Sequence, residues 1–203
     1  MIRLIRAYLD SNVLLAKITG FESNPRQTKL ADLVFDKIKD GEIKGVVSAL
    51  VLIEIMTVLK NRVGQDKPKL LAIPDAANRA DHVIKESSSM YKEILGELLR
   101  MENKIIFQVK KSIDMNQLLI DAQLILDSVR GIVKTHDYCK KCNTNGVQTI
   151  SYKSLASYDA LHVLLAKEME CDEFWTFDGD FEEIRNHQKV TPLQIKNIRI
   201  VDL

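Results

Sequence analysis

The chain has 203 residues, 46% hydrophobic and 28% charged, long enough to bury one sizeable core and too short to demand two domains. Lys and Arg total 29 against 28 Asp and Glu, so the net charge of +1 carries no basic footprint of the kind that marks many nucleic-acid binders. The three cysteines do not make a disulfide framework. The longest apolar run, 49–53, falls far short of the roughly 20 residues that span a bilayer. MIRLIRAYLD, with arginines at 3 and 6, lacks a signal-peptide core, so a cytoplasmic protein without membrane association is expected.

In chain order, Ile2, Leu4, Ile5, Ala7 and Leu9 predict a first strand ending at Asp10. Leu30, Leu33, Val34 and Ile38 recur at helical spacing before the Asp40-Gly41 break. Val46 and Val47 predict a short buried strand, and Ser48 caps a helix running to about Lys60. Ile84, Tyr91, Ile94, Leu95 and Leu98 predict an amphipathic helix over 81–102. A strand follows at Ile105, Ile106, Phe107 and Val109. Asp114 with Gln117 resembles a capping box opening a helix through Leu118, Ala122, Ile125, Leu126 and Val129. The stretch 134–153 is polar and reads as irregular. A helix near Ser157 reaches Met169, with strands at 173–177 and 198–201.

Strands alternating with helices imply crossovers and a mostly parallel sheet of about five strands, covered on both faces: a three-layer α/β/α sandwich. Ligands of such sheets bind beyond the carboxyl ends of the strands. Asp10 and Asp178 each follow a predicted strand and so fall on that edge. Glu54 interrupts an apolar helix, and an unpaired buried carboxylate costs several kcal/mol. Asp159 lies in the first turns of a helix, where the dipole favours an acid.

Each acid has an ordinary explanation taken singly. Glu54 could be ion-paired, Asp159 could stabilise a helix start, and Asp10 or the Asp178-Gly179-Asp180 run could be turn chemistry. Together, carboxylates converging on one edge repel one another unless a cation joins them. Hard oxygen ligands suit Mg²⁺ or Mn²⁺ better than zinc. Such ions serve phosphodiester hydrolysis.

The motifs Leu9-Asp10-Ser11-Asn12, Ser48 through Glu54, Tyr158-Asp159-Ala160-Leu161-His162 and Trp175-Thr176-Phe177-Asp178-Gly179-Asp180-Phe181 resemble those of the PIN-domain ribonucleases, in particular the VapC-type toxins of toxin–antitoxin pairs. The resemblance implies a single PIN-like nuclease domain over 1–203, with inserted or extended segments around 64–102 and 134–153. It implies a metal-dependent endoribonuclease that leaves a 3′-hydroxyl and a 5′-phosphate. Asp10, Glu54, Asp159 and Asp178 would be the metal-binding catalytic carboxylates, and Asp180 an auxiliary acid. Ser11, Asn12 and Thr176 would be the small polar residues that orient carboxylates or water. RNA is the expected substrate, with an antitoxin protein and a homodimer partner as further expectations. The alternatives are a PIN nuclease of rRNA or tRNA processing and a catalytically weak scaffold that binds RNA or protein.

A local basic rim would serve RNA. Its candidates are Lys60, Arg62, Lys67 and Lys69, and Lys134, Lys140, Lys141 and Lys153, although a solvated surface explains each cluster by itself. His136, Cys139 and Cys142 form H-x2-C-x2-C, with Cys171 as a candidate fourth zinc ligand. A plain loop with free thiols is the preferred reading. His162 shares a helix face with Asp159 and reads as space-filling near the site, while Trp175 and Phe177 read as core rather than base-stacking residues.

Overall fold

The computed structural model describes residues 3–18, 25–101, 104–107, 113–129, 132–139, 144–151 and 157–198. Strand β1 (Ile5–Leu9) leads directly into helix α1 (Ser11–Ile18), and α2 (Pro25–Asp40) follows. Helix α2 buries Leu30, Ala31, Val34, Phe35 and Ile38, a stripe at helical spacing. It ends in a Schellman motif: Glu42 N–H donates to Lys37 C=O at 3.0 Å and Gly41 N–H to Ile38 C=O at 3.1 Å. The motif needs a left-handed residue, which Gly41 supplies at φ 77°.

Strand β2 (Ile43–Val47) then runs into α3 (Ala49–Gln65), whose N-cap is Ser48; its Oγ accepts from Val51 N–H at 3.3 Å. Helices α4 (Lys67–Leu71) and α5 (Ala76–Arg100) follow, each with an aspartate N-cap, Asp66 and Asp75. The apolar stripe of α5 faces α3, burying Ile94 and Leu98 completely, so the segment packs within the fold. Strand β3 (Ile105–Phe107) precedes α6 (Met115–Val129), where Asp114 accepts from the backbone N–H groups of Asn116 and Gln117 at 3.0 and 3.1 Å.

Strands β4 (Ile132–Cys139) and β5 (Thr144–Ser151) pair antiparallel, from Ile132 opposite Ser151 to Cys139 opposite Thr144. This corrects the irregular reading of 134–153. The polar composition hid the two strands, yet Ile132, Val133, Thr135, Val147, Thr149 and Ile150 are β-branched, and each strand satisfies the other's backbone. Helix α7 (Ser157–Glu168), strand β6 (Glu173–Thr176), a 3₁₀ turn (Gly179–Ile184) and β7 (Gln194–Asn197) complete the chain. The last strand therefore lies earlier than 198–201, of which 199–201 fall outside the described residues. Only Ile195 of β7 is buried, so this edge strand presents too little apolar pattern to stand out.

The main sheet has the order β3-β2-β1-β6-β7, and every neighbouring pair is parallel. Helices cover both sides, making an α/β/α sandwich. On one side, Leu9, Gly45 and Ile105 meet Ile38 of α2; a Cβ on Gly45 would sit 3.2 Å from both Leu9 and Ile38. On the other, Tyr8 stacks on Phe174 with centroids 5.3 Å apart, and Phe174 meets Phe181 at 4.8 Å. The order reverses direction between β1 and β6. Their carboxyl ends carry Asp10 on one side and Thr176 to Asp178 on the other, which is the crevice position of an open parallel sheet.

Candidate metal centre at the sheet edge

Asp10 follows the last residue of β1, and its N–H bonds Trp175 C=O at 3.1 Å, locking the strand end to β6. Its side chain is 4% exposed and surrounded by donors. Oδ1 accepts from Ser11 N–H at 2.7 Å; Oδ2 accepts from Thr176 Oγ1 at 2.7 Å and Asn12 Nδ2 at 2.8 Å. Thr176, fully buried, also accepts from Asn12 Nδ2 and from Asp178 N–H, each at 3.0 Å. Asn12 Oδ1 in turn accepts from Phe177 N–H at 3.1 Å. These bonds hold one carboxylate in a single orientation. Burial nevertheless raises the Asp10 carboxyl above its ordinary value, and the Glu54 charge adds to the rise; His162, Thr176 and Ser11 offset only part of it.

Glu54 reaches the same edge from the second turn of α3. Its Oε2 accepts from His162 Nε2 at 2.9 Å. Burial alone would raise this carboxyl, but the hydrogen bond from His162, the charge that ring carries when protonated, and a hydrogen bond with Ser11 outweigh it and bring the pKa below the ordinary value. Behind it, His162 Nδ1 lies 2.8 Å from Tyr8 Oη, which lies 2.6 Å from Ser48 Oγ. Burial drives the Tyr8 phenol far upward, so it remains an O–H.

Asp10, Glu54 and His162 each place a donor atom within 4.8 Å of the others, the one such trio of His, Cys, Asp or Glu among the described residues. Donors about 2.1 Å from a shared Mg²⁺ or Mn²⁺ sit roughly 3–4.2 Å apart, so a closure of under about 1 Å would bring the two carboxylates onto one ion. The oxygen-rich donors and the raised Asp10 carboxyl fit a hard cation, whose charge would offset the repulsion between the two acids.

The remaining predicted acids are not members of that trio. Asp159 is half-buried in the first turn of α7, three residues before His162. Asp178 caps the 3₁₀ turn, its Oδ1 accepting from Asp180 N–H at 2.8 Å, and both side chains are half-buried. Sequence reasoning missed the structural weight of Tyr8 and His162, which are 0% and 1% exposed. The one signal was a histidine on the Asp159 face of an apolar helix. Trp175 is buried, its Nε1 donating to Glu173 at 2.6 Å, and Phe177 packs against the core.

Lys60, Arg62, Lys67 and Lys69 are exposed at the end of α3 and on α4, with Lys69 paired to Asp66 at 3.3 Å. Lys140, Lys141 and Lys153 lie outside the described residues, as does the Lys134 side chain. The zinc candidate also falls there: Cys142 and the side chains of His136 and Cys139 lie outside the described residues. Cys171 is buried between α7 and β6, and burial pushes its thiol up to about 12. No helix among the described residues is long and apolar enough to cross a membrane.

The sheet is parallel throughout, and Asp10 and Glu54 meet at the edge where its strand order reverses. The family model for the PIN domain matches residues 7–186, and the chain belongs to this family of nucleases. No curated protein matches the chain. Among solved structures, the chain is similar to VapBC2 from Rickettsia felis bound to a DNA fragment from their promoter, at 12% identity and a TM-score of 0.46, covering 95% of this chain and 98% of that one.

Proposed function

We propose that the chain is a Mg²⁺- or Mn²⁺-dependent endoribonuclease acting as the toxin of a toxin–antitoxin pair. The observation that carries the catalytic part is the meeting of Asp10 and Glu54 at the sheet edge, in a chain of the PIN family. The toxin role draws on the motifs around Asp10, Glu54, Asp159 and Asp178. An antitoxin and a homodimer partner belong to the same proposal.

When bound, the cation supplies an activated water and charge for the phosphate oxygens in an in-line displacement. Asp10 and Glu54 would hold it, with Asp159, Asp178 and Asp180 as further acids of the site. Ser11, Asn12 and Thr176 keep the Asp10 carboxylate oriented. Burial of Asp10 excludes bulk water from its side of the site.

The test is cleavage of single-stranded and structured RNA with Mn²⁺ or Mg²⁺ by the intact protein and by Asp10→Asn and Glu54→Gln. Each substitution should lower the rate by about 100-fold or more, on the order seen when a charge-stabilising group is lost. Cleavage that survives both, or that needs no cation, overturns the proposal. Growth arrest on expression, relieved by a cognate partner, separates the toxin from an RNA-processing enzyme.

A further inference from the structure

A buried hydrogen-bond chain enters the site from behind: Ser48 Oγ, Tyr8 Oη, His162 Nδ1, and then His162 Nε2 to Glu54 Oε2, at 2.6, 2.8 and 2.9 Å. It starts at the N-cap of α3, crosses the end of β1 and the middle of α7, and returns to α3 six residues further on. Ser48, Tyr8 and His162 are 2%, 0% and 1% exposed, so bulk water does not complete their bonding.

Counting hydrogens decides the direction. Ser48 and Tyr8 each own one hydroxyl hydrogen, and Ser48 Oγ already accepts from Val51 N–H. If Ser48 donates to Tyr8 and Tyr8 donates to Nδ1, then Nε2 carries the imidazole hydrogen and donates to Glu54. Every hydrogen then has an acceptor. In the reverse direction Nδ1–H donates to Tyr8 and Tyr8 to Ser48, and the Ser48 hydrogen has no acceptor among the described contacts. An orphaned buried donor is disfavoured by the full desolvation of the group. The satisfied direction turns an N–H, not a lone pair, toward the two acids.

Resting on the reading that Asp10 and Glu54 hold a divalent cation, we infer that His162, held in its Nε2–H form by Tyr8, is a positioning residue that aims Glu54 and is not itself a ligand of the ion. Its nearness to both carboxylates would otherwise make it a natural third ligand. The hydrogen bond occupies one lone pair of Glu54 and leaves the rest of the carboxylate for the cation. Aromatic stacking of Tyr8 on Phe174 fixes the ring that holds His162. Partners of this kind behind a metal-binding group are worth about 10- to 100-fold in metal affinity.

The experiment uses the full chain with ¹⁵N-labelled histidine and with His82, His136 and His187 replaced by glutamine, so that His162 alone reports. In the metal-free protein, nitrogen NMR should show hydrogen on Nε2 and none on Nδ1. Pulsed electron paramagnetic resonance with Mn²⁺ bound should show no directly coordinated ¹⁵N. Tyr8→Phe should weaken Mn²⁺ binding by about tenfold and lower kcat with little change in KM for an RNA oligomer. An Nδ1–H tautomer, or a strongly coupled ¹⁵N on Mn²⁺, overturns this inference alone. Mn²⁺ binding undiminished by Asp10→Asn overturns the cation reading, and the inference with it.

Discussion

Replacing Thr176 with valine removes one hydroxyl from the centre of the site while keeping the side-chain shape. Three bonds go with it: the donation to Asp10 Oδ2 at 2.7 Å and the acceptances from Asn12 Nδ2 and Asp178 N–H at 3.0 Å. A hydrogen bond to a charged group contributes roughly 1.5–3 kcal/mol, and a newly unpaired buried N–H costs about 1 kcal/mol or more. Asn12 keeps its bond to Asp10, so its loss is minor. The expected destabilisation is therefore about 2–4 kcal/mol, equivalent to roughly 4–16 °C in Tm for a chain of this size.

The sign of its pH dependence follows from Asp10, whose folded pKa is raised by burial and lowered in part by Thr176. Without the hydroxyl the carboxyl rises further. The advantage of the natural residue is thus fully present where Asp10 is ionised in both folded proteins, and is lost as pH falls through their folded pKa values. Urea unfolding of the metal-free protein across a pH series should give a difference that shrinks as the pH is lowered. Thr176→Ser, which keeps the hydroxyl and deletes a methyl, should cost about 1 kcal/mol throughout the series. A valine cost under about 0.5 kcal/mol, or one flat across pH, would refute the claim that this hydroxyl holds an ionised Asp10.

Glu170 closes α7 at φ 56°, the left-handed position of a second Schellman motif in which Cys171 N–H reaches Ala166 C=O at 3.0 Å. Glu170→Gly should raise stability by about 0.5–1 kcal/mol in chemical denaturation, since glycine adopts this conformation without strain. The Cys171 thiol, pushed up to about 12 by burial first and by Asp172, stays protonated at neutral pH despite the nearby Arg6. Its alkylation by iodoacetamide, followed by mass spectrometry, should be slow in the native protein and fast in urea. Because a raised thiol pKa disfavours the folded state once the unfolded thiol ionises, stability should also fall as pH rises above about 9.

Local chemistry made much of this protein legible in its sequence. The apolar run before Asp10 required a buried strand, Ser48 and Asp114 carried the oxygen acceptors that open helices, and Glu54 stood out because an apolar helix has no cheap place for a carboxylate. These signals need only a residue and its neighbours within one or two turns. The β4–β5 hairpin and β7 escaped because their stability comes from backbone pairing with another strand, which polar or edge sequences do not advertise.

The composition of the centre was settled only in three dimensions. Hydrophobic period says which way a side chain faces, not what stands opposite it. That Tyr8 would reach Ser48 and His162, and that His162 would reach Glu54 108 residues away, depends on the register of β1 against β2 and β6 and on where that sheet places α7. The sequence named Asp10 and Glu54 as acids out of place; tertiary packing made them neighbours and brought a histidine of α7 beside both.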